Sequence, residues 1–289
     1  TDLLVHLAAN QMSKKASEVI EGEKLDLLIG NSPLEEAEGL DKDEKETIKA
    51  NVLHILKENY GIEEEDFASA ELEIVPAGKA RDCGFDRSMI LSYGQDDRVC
   101  AFTSLFAMLD VENAKRTGCC LLVDKEEIGS VGATGMHSRF FENTVAELVA
   151  LTEGESELKV RRALANSRML SSDVSAAYDP MFAEAFEKRS AAFFTKGLAF
   201  NKFTGSRGKS GSNDANAEYL AKLRKVMDDA GVTYQFAELG KVDVGGGGTI
   251  AYIMANYGME VIDSGVAVLS MHAPYEVSSK ADVYEAVKG

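Results

Sequence analysis

Positive charge is scarce in this sequence. Lys and Arg together number 31 against 48 Asp and Glu, for a formal charge of −17. A surface for nucleic acid or an anionic membrane has to meet phosphates with Lys and Arg, so this balance argues against both partners. It leaves room for a small acidic ligand met by one local cation. Long apolar runs are also missing: none reaches the roughly 20 residues of a membrane span, and the longest are strand-sized. There are 4 cysteines, Cys83, Cys100, Cys119 and Cys120, with neither a CxxC pair nor zinc-finger spacing. Cys119 and Cys120 fall inside an apolar run, which points to buried free thiols and a reducing cytoplasm. The GxSxG elbow of serine hydrolases does not occur, and Gly129-Ser130-Val131-Gly132 misses it. Gly205-Ser206-Arg207-Gly208-Lys209-Ser210 ends like a phosphate-binding P-loop, but Phe203 stands where that pattern needs its first glycine. The chain opens on Thr1 and runs into apolar residues with no basic n-region, unlike a signal peptide. We expect it to be a fragment of a longer protein.

What is present suits an ordinary globular chain: 289 residues, 45% apolar and 27% charged, enough for about two domains. Residues 1–78 are polar and acidic. A helix is expected from Asp43, with Ile48, Val52 and Leu56 on one face and Gly61 as its stop. Ala70–Val75 alternates like a strand. From residue 79 to 289 short apolar runs alternate with helical stretches, the texture of an α/β sheet. Expected strands are Met89–Tyr93, Cys119–Val123, Arg168–Ser171, Leu198–Asn201, Tyr234–Ala237 and Ala267–Met271. Helices are expected after Asp97, Glu142 and Asn213, and over Thr249–Tyr257.

Metal-ligand residue types recur just past these strands: Asp96 and Asp97, Glu126 and Glu127, Asp173, and His272. In open α/β sheets the strand carboxyl ends share one rim, where ligand sites form. Carboxylates gathered there repel one another unless a cation joins them, and carboxylate with imidazole suits zinc, cobalt or manganese. In Glu126-Glu127, adjacent residues leaving a strand point opposite ways, so one can hold metal while the other acts as a base; two solvated loop acids are the alternative. In Asp96-Asp97-Arg98, one carboxylate can bridge two ions while the arginine holds the next, or the pair can cap a helix. Asp173 is open between ligand and turn residue. Of the 4 histidines, His272 is the better ligand candidate, His54 reads as structural, and His137 and His6 have no assignment from the residues alone. Gly245–Gly248 reads as a turn letting backbone approach a substrate.

Together these segments resemble the aspartyl aminopeptidase family, metallopeptidase family 18, in the branch of bacterial aminopeptidase 1 and vacuolar aminopeptidase I. The resemblance rests on Ser92-Tyr93-Gly94-Gln95-Asp96-Asp97-Arg98, Val123-Asp124-Lys125-Glu126-Glu127-Ile128-Gly129-Ser130, Ser172-Asp173-Val174, Phe203–Gly211 and Leu269-Ser270-Met271-His272. It implies a zinc-exopeptidase-like mixed sheet flanked by helices in 79–289, with 1–78 as the second half of an inserted dimerisation domain. It implies an aminopeptidase acting on peptides with two divalent ions, zinc foremost and cobalt or manganese possible. Asp96 is then the bridging ligand, Glu127 and His272 complete one ion's shell, Asp173 serves the other, and Glu126 is the general base. It further implies dimers assembled into a tetrahedral dodecamer, with His6 reaching a partner subunit's active site. Lys202, Lys209, Gly246 and Gly247 are candidate substrate contacts. The family's upstream His-x-Asp ligand motif does not occur in this sequence. The competing reading is therefore a non-catalytic metal-binding or assembly subunit.

Overall fold

The computed structural model describes residues 4–34, 44–207, 210–247 and 250–289. They fall into two compact units, Thr1–Ile74 and Val75–Gly289. The first unit is helical where it is regular. Short 3-10 turns at Val5–Leu7, Ala16–Glu18 and Gly22–Lys24 accompany α1 (Ala9–Met12), and α2 (Glu44–Tyr60) is its one long element among the described residues. Gly61 stops α2 with φ +69, a conformation glycine adopts without a Cβ penalty, and its N–H bonds the Lys57 carbonyl at 2.9 Å. The strand expected at Ala70–Val75 does not form. Those residues are exposed and no described strand lies beside them, so alternation alone had no partner to pair with.

The second unit is α/β with two mixed sheets. A 5-stranded sheet runs β1 (Arg81–Cys83), β2 (Met89–Ser92), β9 (Glu276–Ser279), β8 (Ala267–Leu269), β4 (Ser175–Ala176). A 4-stranded sheet runs β3 (Arg168–Ser172), β7 (Glu260–Gly265), β5 (Leu198–Asn201), β6 (Tyr234–Phe236). Helices α3 (Gln95–Leu109), α4 (Phe140–Glu153), α5 (Glu157–Ala165), α6 (Ala217–Ala230), α7 (Ala251–Ala255) and α8 (Lys280–Lys288) complete it. Strand β5 is buried at every residue. Its Leu198 and Phe200 pack with Tyr219 and Met227 of α6 and Ile262 of β7. Helix α6 begins where Asn216 accepts the Tyr219 N–H at 2.7 Å and ends at Gly231, φ 63.

The two sheets share a pair of parallel strands that cross from one to the other. Residue 168 onward pairs with 260 onward as β3 and β7, and the pairing resumes as β4 and β8. Between them Asp173 N–H bonds the Ser264 carbonyl at 3.1 Å and Ser175 N–H bonds the Val266 carbonyl at 2.9 Å. Asp173 therefore sits at the junction, fixed by backbone on the neighbouring strand.

The apolar run Cys119–Val123, expected as a strand, has no ladder partner among the described residues. Leu121 and Val123 still face inward on the cluster of Met136, Met254 and Met259, while Leu122 is 57% exposed. Its alternation records burial on one side; a strand also needs an edge to bond to.

At the junction, Gly265 admits no side chain: a Cβ would lie 1.8 Å from the Asp173 carbonyl oxygen. Gly265→Ala is expected to destabilise the protein by at least about 1–3 kcal/mol, the usual range for overpacking, read as a lower urea midpoint. An unchanged midpoint would contradict the close packing at Asp173.

Candidate metal centre

The larger sheet delivers Asp96 and Asp97 after β2, Asp173 before β4 and His272 after β8, while Glu126 and Glu127 come from a turn outside it. After β2 the chain turns at Gly94 (φ 62), where a Cβ would meet the Arg98 guanidinium at 2.2 Å. Asp96 and Asp97 follow with non-helical dihedrals and a cis peptide bond between them. Arg98 bonds the Gly94 and Tyr93 carbonyls, each at 2.9 Å, and stacks on the Tyr93 ring. The expectation that Arg98 holds Asp97 is thus corrected: a guanidinium folded back on its own turn cannot also reach a carboxylate directed into the interior. Instead Asp97 bonds the Cys100 thiol and the Val174 backbone, and its Oδ1 is buried with no hydrogen-bond partner. Glu126 and Glu127 lie on a single 3-10 turn, Glu126–Ile128, between Lys125 (φ 63) and Gly129 (φ 97). A tight turn, not a strand end, separates the two glutamates.

His272 lies in the loop joining β8 to β9, at φ 67. Its Nε2 is 2.9 Å from Asp96 Oδ2 and 3.0 Å from Glu127 Oε1. Donor atoms of these three residues all fall within 4.8 Å of one another, as do those of Asp96, Asp97 and Asp173. Asp96 belongs to both groups. Two ligands at zinc distances in a tetrahedral shell stand roughly 3.3 Å apart, close to the spacings around His272. Carboxylate with imidazole on one side, and carboxylates with an unpartnered buried oxygen on the other, form a donor set that fits divalent ions.

The electrostatics point the same way. Burial and the charge of Glu127 push Asp96 up to about 6. Asp97 is pushed up to about 8, by burial first and then by Asp96 and Glu126. Burial, reinforced by Asp97 and Asp96, holds Asp173 well above the carboxylate range, and burial with Glu127 and Asp96 raises Glu126. Each group resists ionisation first because it is buried and next because its neighbours are acidic.

Asp96, Glu126, Glu127, Asp173 and His272 line one cavity of about 770 Å³. Two loops that also contribute to its lining are bonded through their backbones: Gly205 N–H to the Gly247 carbonyl at 2.7 Å and Arg207 N–H to the Gly245 carbonyl at 2.9 Å. Gly246 and Gly247 line the cavity, as does Glu238, pushed up to about 7 chiefly by burial. Lys202 does not line it; its ammonium bonds Asp214 and lies over the Phe203 ring, 4.3 Å from the centroid. Lys209 lies outside the described residues. His6 is an exposed residue of the Val5–Leu7 turn in the first unit. His137 meets the Tyr252 hydroxyl at 3.3 Å. Sequence reasoning missed Asp97 as a member of the second donor group, although the adjacent acids carried a signal.

These raised carboxyls fix the pH response without metal. From the ordinary values of 3.8 for Asp and 4.5 for Glu up to about 8, the folded chain holds protons that the unfolded chain releases. The contribution of these groups to the stability of metal-free protein is therefore full on the acid side and is lost as pH rises through this window. Thermal melts from pH 4 to 8 should show that loss, and saturating zinc should abolish it. A metal-free melt that rises over the same range would contradict the picture.

The family description "Aminopeptidase I zinc metalloprotease (M18)" matches residues 1–289. The chain is 63% identical over 289 residues to a probable M18 family aminopeptidase 1 from Clostridium acetobutylicum, covering 100% of this chain and 61% of that protein. A namesake from Borreliella burgdorferi is 45% identical, with 99% and 62% covered. The crystal structure of aminopeptidase I from Clostridium acetobutylicum superposes with a TM-score of 0.89 at 62% identity, over 100% of this chain and 61% of that one. An M18 aminopeptidase from Thermotoga maritima gives 0.91 at 45%, over 99% and 62%. This chain thus spans about three fifths of the relatives it matches. The metal-binding residue types at the sheet junction, the mixed α/β fold and similarity along the whole chain lead to one conclusion: the chain belongs to the M18 family of aminopeptidase I zinc metalloproteases.

Proposed function

We propose that this chain carries a two-ion aminopeptidase site that releases the N-terminal residue of peptides. The observation that carries the reading is the position of Asp96, shared by two donor groups, with Glu126 on the wall of the same cavity. Glu127 and His272 would hold one ion, Asp173 the other with Asp97 beside it, and Asp96 both. Zinc is the expected metal, with cobalt or manganese as substitutes the same donors accept. When bound, such ions lower the pKa of a water and polarise a carbonyl.

The chain's own residues supply the rest. Glu126 accepts a proton from the attacking water and passes it to the departing amine. Gly246 and Gly247 line the same cavity and, lacking side chains, offer their backbone to an extended peptide. Lys202, engaged by Asp214, is left out of the substrate contacts. A panel of aminoacyl-nitroanilides reads which N-terminal residue is preferred.

The first unit is read as the second half of a dimerisation domain, and the assembly as a homo-oligomer of dimers, with His6 offered to a neighbour's site. Mass photometry of the purified protein tests this. Four free thiols among the described residues support a cytoplasmic setting.

Glu126→Gln should lower kcat by about 10²–10⁴-fold, the usual range for general acid–base groups, while the ion content measured by mass spectrometry stays unchanged. Turnover within a few-fold of wild type would remove Glu126 from this role. Bound ions without turnover in the wild-type protein would favour the assembly-subunit reading.

A further inference from the structure

Glu276 is the first residue of β9 and is 1% exposed. Its carboxylate does two things at once. Oε2 accepts the backbone N–H of Asp96 at 3.0 Å, and Oε1 accepts the backbone N–H of His272 at 2.9 Å. The first contact joins chain segments far apart in sequence, and the second closes the loop that carries His272. Glu276 is itself pinned. Its carbonyl accepts the Gln95 side-chain amide at 2.6 Å, and β9 pairs it with Ser92 at the end of β2. Gln95 Oε1 in turn accepts the Ser278 hydroxyl. One buried carboxylate thus fixes the main chain of two residues whose side chains meet at 2.9 Å.

We propose that Glu276 is a positioning residue of the metal centre, its two oxygens setting the separation and orientation of Asp96 and His272 for ion binding. The inference rests on the two-ion reading above, and it concerns how the site is held, which ligand identity alone does not answer. His272 needs such a hold. It stands at φ 67, with Ser270 at φ 58 in the same loop, a region side chains adopt only when surroundings impose it. A brace through the backbone leaves both side chains free for the ion while removing the conformational freedom they would otherwise lose on binding. Partners of this kind, outside the ligand shell, commonly change metal affinity by about 10–100-fold when altered.

Glu276→Gln is the direct test. Glutamine has one acceptor oxygen and one amino group, so one of the two backbone N–H groups then faces a donor. Zinc affinity, read by competition with a chromophoric chelator, is expected to fall about 10–100-fold, with an altered visible spectrum of the cobalt-substituted protein. Affinity within threefold of wild type and an unchanged cobalt spectrum would overturn the proposal, even with a lowered melting temperature, because a merely structural residue behaves that way. Wild-type protein that binds no divalent ion would overturn the two-ion reading and this inference together, whereas bound ions with an indifferent variant overturn this inference alone. Glu276→Asp, which keeps both oxygens on a shorter arm, serves if the glutamine variant does not fold and should also weaken zinc. If neither folds, hydrogen exchange in the wild-type metal-free protein decides. Asp96 and His272 amides protected like those of β9 support the brace, and exchange at open-loop rates overturns it.

Discussion

Like charges brought into one half-buried place are the constraint on which the rest of this structure depends. Asp96, Asp97, Glu126 and Asp173 are all held above the ordinary carboxylate range, each by burial first and by its acidic neighbours next. His272 is the single imidazole among them. Removing ionised carboxylates from water costs several kcal/mol each unless something compensates. Protons can do so at low pH, and divalent cations would do so at neutral pH without emptying the carboxylates of charge. On the proposed reading, the second solution would turn an electrostatic fault into a Lewis-acid site.

The fold meets this constraint by topology. Strands β2, β9 and β8 are neighbours, so the turn after β2 and the loop between β8 and β9 emerge side by side. The parallel pairing of residues 168 onward with 260 onward continues from one sheet into the other, and Asp173 occupies the crossing. Backbone hydrogen bonds place these segments, and they are insensitive to the repulsion among the side chains. Gly265 and Gly94 matter for the same reason: at each, a Cβ would strike the atoms that hold the turn, the Asp173 carbonyl in one case and the Arg98 guanidinium in the other.

Much of this was legible in the order of residues. Runs such as Leu198–Asn201 and Arg168–Ser171 declared their strands, and a helix after Asn213 followed from the apolar spacing of Ala217, Leu220 and Leu223. The acids of the site were legible because each sits just past an apolar run, and family resemblance tied them to one reaction class. What stayed hidden was non-local. The run Cys119–Val123 looked like a strand because it is buried on one side, and only a neighbour's edge would have made it one. Arg98 looked like the partner of Asp97 because it is adjacent; its guanidinium instead satisfies the carbonyls of its own turn. Glu276 carries no local pattern, since its importance comes from a contact with the backbone of Asp96. Lys202 was a candidate by charge alone; its ammonium pairs with Asp214 beside the cavity.

Anomalous diffraction at the zinc edge, from crystals of the purified protein grown with zinc, tests the central claim most directly. The account predicts two peaks on either side of the Asp96 carboxylate, one against Glu127 and His272 and one against Asp173. Peaks elsewhere on the molecule, or none at this cluster, would contradict it.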